Sequence, residues 1–249
     1  MSEIRILPLP SMPEVLTGDD LAALIVTALK SSGLQPEGGD IFVVTQKIVS
    51  KAEGRLVRLD TVEPSARARE WAETHGKDAR VIEVILQQAK RIVRMERGVM
   101  IVETKHGFVC ANAGVDASNV PGGVVTLLPE DSDESARRLR EQLEKAFQVQ
   151  LAVIISDTFG RPWREGVANV ALGVAGLEPL LDYRGQPDTH GHTLQMTVVA
   201  VADELAAAAE LVMGKTNRVP VAIIRGFKYK PAAGSGRDLL RRAEEDLFR

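Results

Sequence analysis

Leu151-Ala152-Val153-Ile154-Ile155-Ser156-Asp157-Thr158-Phe159-Gly160-Arg161 passes from an unbroken apolar run into an acid, a hydroxyl and a glycine. Five apolar residues are too few for a buried helix, so Leu151 to Ile155 reads as an interior strand. The end of such a strand delivers Ser156, Asp157 and Thr158 to a sheet edge, where α and β folds place ligands. Asn112-Ala113-Gly114-Val115-Asp116-Ala117-Ser118-Asn119 repeats the pattern upstream, with an acid in a small, polar turn after an apolar segment. Carboxylates beside hydroxyls and bare backbone suit a hard divalent cation. Two carboxylates with oxygen neighbours favour magnesium or manganese over zinc. Either Asp could instead cap its own turn.

Outward from these stretches the chain mixes strands and helices without a regular strand-helix-strand rhythm. This predicts an α+β fold rather than a doubly wound sheet. Ile4 to Pro10 reads as a short strand broken by prolines. Thr17-Gly18-Asp19-Asp20 supplies a cap for a helix to about Ser31. Asp40 to Thr45 is a buried strand, followed by the basic segment Gln46 to Arg55. Pro64 to His75 and Asp78 to about Val93 read as helices. Val99 to Val102 and Phe108 to Ala111 form a hairpin. Ser132 to about Ala146 is a polar helix with a solvated face. Val167 to Ala175 could be a strand or a buried helix. Thr193 to Val201 alternates like a strand. Asp203 caps an alanine-rich helix to Met213, Val219 to Ile224 is a strand, and an amphipathic helix runs from Ser235 onward.

Lys47 and Lys51 flank a strand end and could meet phosphates as mobile cations, or be simply solvated. Arg161 and Arg164 are candidates for anionic groups. Met213-Gly214-Lys215-Thr216 matches the end of a Walker A sequence, but the glycine it also requires is Ala209, inside a helix-forming stretch. This is not a P-loop, and no dinucleotide-binding glycine motif is present. Gly234-Ser235-Gly236 is a loop that could face an anion. His190-Gly191-His192 is too sparse and too polar a segment for a transition-metal site.

The net charge of −3 excludes bulk electrostatic attraction to nucleic acid, and 4% aromatic residues give little for base stacking. The single cysteine, Cys110, can form neither an internal disulfide nor a cysteine zinc site, and its apolar surroundings predict a small buried hydrophobe. No apolar run approaches a membrane span, and Met1 to Arg5 lacks a signal core. A reducing, cytoplasmic location is expected.

Read together, these residues resemble the coenzyme F420-0:L-glutamate ligases, the γ-glutamyl ligases of the deazaflavin coenzyme. The resemblance runs almost end to end. It rests on Ser50-Lys51-Ala52-Glu53-Gly54-Arg55, Asn112 to Val120, Asp157-Thr158-Phe159-Gly160-Arg161, Val201-Ala202-Asp203-Glu204 and Met213-Gly214. It implies a family-specific α+β fold with mixed sheets and flanking helices. It also implies a single unit over 1–249, which could fold as two intertwined subdomains, without a C-terminal nitroreductase-type domain. The implied reaction is GTP-dependent ligation of L-glutamate to coenzyme F420-0, with further γ-linked glutamates added afterwards. Implied cofactors are Mn2+ or Mg2+ at two sites, and K+; the implied assembly is a homodimer.

By the same resemblance, Asp116, Asp157 and Thr158 match metal ligands. Met12, Pro13, Glu14, Val15, Gln46, Lys47, Lys51, Asn119, Met213, Gly214 and Lys215 match nucleotide contacts. Asp116, Asp157 and Lys51 are the expected catalytic groups. Arg161, Trp163 and Arg164 are candidates for the phosphate and ring of the deazaflavin. The chain departs from the family pattern at Lys215, where similar proteins carry an acid that binds the second metal. Alternatives are a non-catalytic nucleotide- or deazaflavin-binding relative and another GTP-dependent amide ligase.

Overall fold

The computed structural model describes residues 3–246. In chain order the first half contains β1 (Arg5–Pro8), α1 (Leu21–Ser32), β2 (Ile41–Thr45), α2 (Gln46–Ala52), β3 (Leu56–Arg58), α3 (Ala66–His75), α4 (Ala79–Gln88), β4 (Ala89–Glu96), β5 (Val99–Thr104), β6 (Val109–Ala111) and β7 (Val124–Thr126). The second half adds α5 (Ser132–Phe147), β8 (Ala152–Gly160), β9 (Val167–Ala175), β10 (Leu181–Asp182), β11 (Val198–Val199), α6 (Val201–Met213) and β12 (Val221–Arg225). The architecture is α+β, with several sheets and flanking helices.

The main sheet has the order β1-β12-β2-β8-β9. Only β2 and β8 run parallel within it; the other pairs are antiparallel. Side chains alternate across a strand with period two, so each central strand feeds two cores. Phe42, Val44, Val153, Ile155 and Ile223 face α1 and α5, where Ile25, Leu29, Leu139 and Leu143 complete one cluster. Ile41, Val43, Ala152, Ile154 and Ile224 face the other way, onto Ala202, Leu205, Ala206 and Ala209 of α6. Burial on both faces explains why β2 and β8 read as unbroken apolar runs. The small residues of α6 let that helix sit close to the sheet.

Local chemistry sets the helix ends. Asp20 accepts from the Ala23 N–H and Gly33 closes α1 in the left-handed conformation. Asp131 caps α5 through the N–H groups of Asp133 and Glu134. The chain between β3 and β7 builds smaller sheets, β3-β7 and β4-β5-β6, with α3 and α4 packed on Met100 and Val102.

Several expected elements differ. The helix from Asp78 ends at Gln88 and residues 89–96 form β4. Residues 66–75 form α3 with Ser65, not Pro64, at its start. Thr193 to Val201 is mostly irregular, with only Val198 and Val199 in a short strand. Asp203 does not cap α6, whose cap position is Ala200; its carboxylate accepts instead from the Ala171 N–H of β9. From Ser235 onward there are two 3-10 turns, Gly236–Leu239 and Ala243–Glu245, in place of a helix; residues 247–249 lie outside the described residues. Asp133 explains the first of these. Its carboxylate accepts from Ser235 Oγ and the Gly236 N–H, which ties this segment flat against β9.

Candidate active site

One cavity of about 1030 Å3 opens beyond the carboxyl end of β2. Thr45 ends β2 and pairs with Ser156, so the two parallel strands deliver α2 and the outer half of β8 to the same place. β8 does not stop at Ile155, as expected, but continues to Gly160. Its pairing with β9 shifts register between Ile155 and Ser156. A bulge re-aims the residues that follow it. Here it marks where the strand leaves the core and begins to line the cavity with Ser156, Asp157 and Thr158.

Asp116 arrives by a different route. Asn112, Ala113 and Gly114 all have positive φ, near 53°, 55° and 68°. This left-handed turn reverses the chain after β6, and Asp116 then bridges to Thr126. A Cβ on Gly114 would meet the Leu128 side chain at 2.6 Å, so packing as well as conformation demands glycine there.

The two carboxylates face each other's field in opposite settings. Burial opposes ionisation of Asp116, but Lys47 Nζ at 2.5 Å and the N–H and hydroxyl of Ser118 hold it below the usual carboxylate range. Asp157 is pushed up to about 6 by burial and, secondarily, by the charge of Asp116. The Thr158 N–H, the Gln46 side chain and Lys47 oppose that rise without cancelling it.

Lys47 and Lys51 lie one helical turn apart on α2, so both reach the cavity from one face. Lys51 Nζ is 2.5 Å from Glu14 Oε1, which ties the loop Met12 to Val15 to α2. Gln46 is buried and accepts from Ser50 Oγ. On the opposite wall Thr158 pairs across the sheet with Asn169. Lys215 Nζ donates to Thr158 Oγ1 at 2.6 Å and to Asn169 Oδ1 at 3.1 Å, and lies 2.8 Å from Glu210 Oε1.

The lining therefore gathers Met12, Pro13, Glu14, Val15, Gln46, Lys47, Lys51, Asp116, Asn119, Asp157, Thr158, Gly214 and Lys215. Met213 differs: it is fully buried among the α6 core residues, and the segment meets the cavity through Gly214 and Lys215. Gly214 follows α6 rather than preceding a helix, so the Walker-like tetrapeptide has none of the geometry of a P-loop. Arg161, Trp163 and Arg164 are exposed near the tip of the β8–β9 hairpin and do not line the cavity. His190 and His192 are also exposed. Cys110 is buried, and burial raises its thiol to about 12. Asn169 and Glu210 line the cavity without having been singled out from the sequence. A lone Asn in the apolar run Val167 to Ala175, and an acid in the last turns of an alanine-rich helix five residues before Lys215, were the available signals.

Two features suit a cation. The carboxyl of Asp157 is held at a cost by burial, and Ser156 Oγ beside it has no hydrogen-bond partner among the described residues. Among those residues no three His, Cys, Asp or Glu side chains converge. A cation on Asp116 and Asp157 would thus draw its other ligands from water or from a bound anion, as magnesium commonly does.

Comparison with known proteins gives the family. The family model described as F420-0:Gamma-glutamyl ligase matches residues 10–226. A "Coenzyme F420:L-glutamate ligase" of Methanothermobacter thermautotrophicus is 48% identical over 249 residues, covering 99% of each chain. Proteins of the same name from Methanopyrus kandleri and Archaeoglobus fulgidus are 47% and 39% identical, each covering 99% of this chain and 98% and 96% of their own. The chain belongs to the F420-0:gamma-glutamyl ligase family.

Proposed function

We propose that this protein joins L-glutamate to the lactyl carboxylate of coenzyme F420-0, using GTP and a divalent cation, and then adds further γ-linked glutamates. The carrying observation is that one cavity brings Asp116 and Asp157 together with Lys47 and Lys51. The names of the relatives supply the acid and the amino acid.

A carboxylate is a poor electrophile and must be activated. In the proposed sequence its oxygen attacks the γ-phosphorus of GTP, the bond to the bridging oxygen breaks, and GDP leaves. The glutamate amine then attacks the acyl carbon, phosphate departs, and the nitrogen loses its proton to solvent. Phosphoryl transfer is mainly positioning and charge neutralisation. Asp116 and Asp157 would hold the divalent cation, Mn2+ or Mg2+, which when bound supplies Lewis-acid neutralisation of phosphate charge. Lys47 and Lys51 present two cationic heads from a rigid helix face to a polyphosphate. Lys51 would balance the charge that moves onto the leaving group. Met12 to Val15, Gln46, Asn119 and Gly214 are the remaining walls available to the nucleotide.

A stimulating K+ ion, a homodimer and a cytoplasmic location belong to the same proposal. Among the described residues no helix is long and apolar enough to cross a membrane.

The test is mass spectrometry of products from F420-0, GTP, manganese and L-glutamate, with GDP release followed in parallel. Asp157→Ala should lower glutamate-dependent GDP release by about 100-fold or more, as loss of a preorganised electrostatic group does. Near-normal turnover in that variant would remove Asp157 from the mechanism. GDP formation without glutamate would point to a hydrolase instead.

A further inference from the structure

The resemblance implies two divalent sites, but the Thr158 wall of the cavity does not fit the second. Three oxygens surround the Lys215 ammonium: it donates to Thr158 Oγ1 and Asn169 Oδ1 at 2.6 and 3.1 Å, and it forms an ion pair with Glu210 Oε1 at 2.8 Å. The oxygens are in turn fixed. Thr158 Oγ1 donates to Asn169 Oδ1 at 2.7 Å, and Asn169 Nδ2 donates to Glu210 Oε2 at 3.0 Å. The set comes from two strands and a helix. Thr158 and Asn169 are opposed across β8 and β9, and Glu210 belongs to α6. Gly214 makes the return possible: with φ near 61° it turns the chain at the end of α6, so that Lys215 reaches back to Glu210. A Cβ there would meet Asn217 Nδ2 at 2.5 Å.

A hydroxyl, an amide oxygen and a carboxylate are what a hard cation seeks. Here the chain's own charge occupies them. We propose that the Lys215 ammonium is the second cation of this cavity, fixed covalently, so that the protein binds one divalent ion rather than two. Lys215 would then act as a positioning residue that holds Thr158 and Asn169 and presents a permanent positive charge to the bound anion. The inference rests on reading Asp116 and Asp157 as the divalent site.

The experiment counts manganese bound per chain, by equilibrium dialysis and elemental analysis with saturating GDP. Wild type should bind one ion, Lys215→Arg one, and Lys215→Met two, because the methionine frees three oxygens without filling their charge. Two ions on wild type would overturn the proposal and leave the ligase reading intact. One ion on a folded Lys215→Met protein would overturn it equally, by showing that the three oxygens are not a cation position. No ion on any of the proteins would sink the divalent site itself, and this inference with it. If Lys215→Met fails to fold, the wild-type count alone still decides.

Discussion

Asp157 and Asp116 carry the same group in opposed environments, and a third acid, Asp203, is a contrast to both. Asp203 lies in the first turn of α6 and accepts from the Ala171 N–H, which pins the helix to β9. Burial raises its carboxyl above the ordinary value, with that hydrogen bond pulling the other way. A folded value above the unfolded one means that the native state prefers the protonated form. Relative stability is then greatest at low pH, falls as pH rises through the unfolded value toward the folded one, and is flat beyond it. Asp203→Asn should therefore gain on the wild type between pH 3 and pH 7, as read from urea unfolding at each pH. A constant difference across that range would show that Asp203 does not titrate differently in the native state. At this scale the sequence was informative where residue type and position coincide: acids after apolar runs, lysines one turn apart. Asn169 and Glu210 acquire their meaning only from cross-strand register and helix packing, which one chain read linearly does not display.

The elements teach a similar lesson about periodicity. Ala89 to about Val93 reads as the end of the helix from Asp78 because the more buried positions of this stretch, Ala89, Ile92 and then Met95, recur every third residue. The strand contains register shifts between Ala89 and Arg91 and between Ile92 and Arg94. Each bulge inserts a residue and turns a period of two into three. The extension of β8 past Ser156 is not legible in the sequence for a related reason: beyond its bulge the strand lines a cavity and loses its apolar signature. By contrast the start of α1 was legible because its cap, Asp20, belongs to the stretch Thr17 to Asp20. Close packing between elements yields the next prediction. A Cβ on Gly173 would fall 2.0 Å from the Ser132 carbonyl oxygen and 2.8 Å from the Asp133 N–H, where α5 meets β9. The obstacle is backbone, so it cannot swing aside. Gly173→Ala should destabilise by about 1–3 kcal/mol or more. Gly160→Ala, with open space around it, is the matched control and should change little. Equal urea midpoints for the two variants would refute the close approach.

At the scale of the whole molecule, the α+β class was evident from the irregular order of strands and helices, but the cavity was not. It is assembled from the stretches around residues 12–15, 45–51, 111–121, 156–169 and 210–220, joined by one parallel strand pair and a left-handed turn. A ligand that touches all of them binds only when all are folded, so it must stabilise the entire native state. At a free concentration about 100 times Kd the gain is about 2.7 kcal/mol. For a chain of this size that corresponds to roughly 5–10 °C in melting temperature. GDP with manganese should raise the wild-type transition by that amount. Manganese alone should do less, because Asp116 and Asp157 offer too few ligands without phosphate oxygens. Asp157→Ala should retain its fold yet lose most of the manganese-dependent part of the shift, since its carboxylate lines the cavity rather than a core. A full shift in Asp157→Ala would mean that the nucleotide is held without the two-carboxylate site, and the proposed chemistry would have to be sought elsewhere on the molecule.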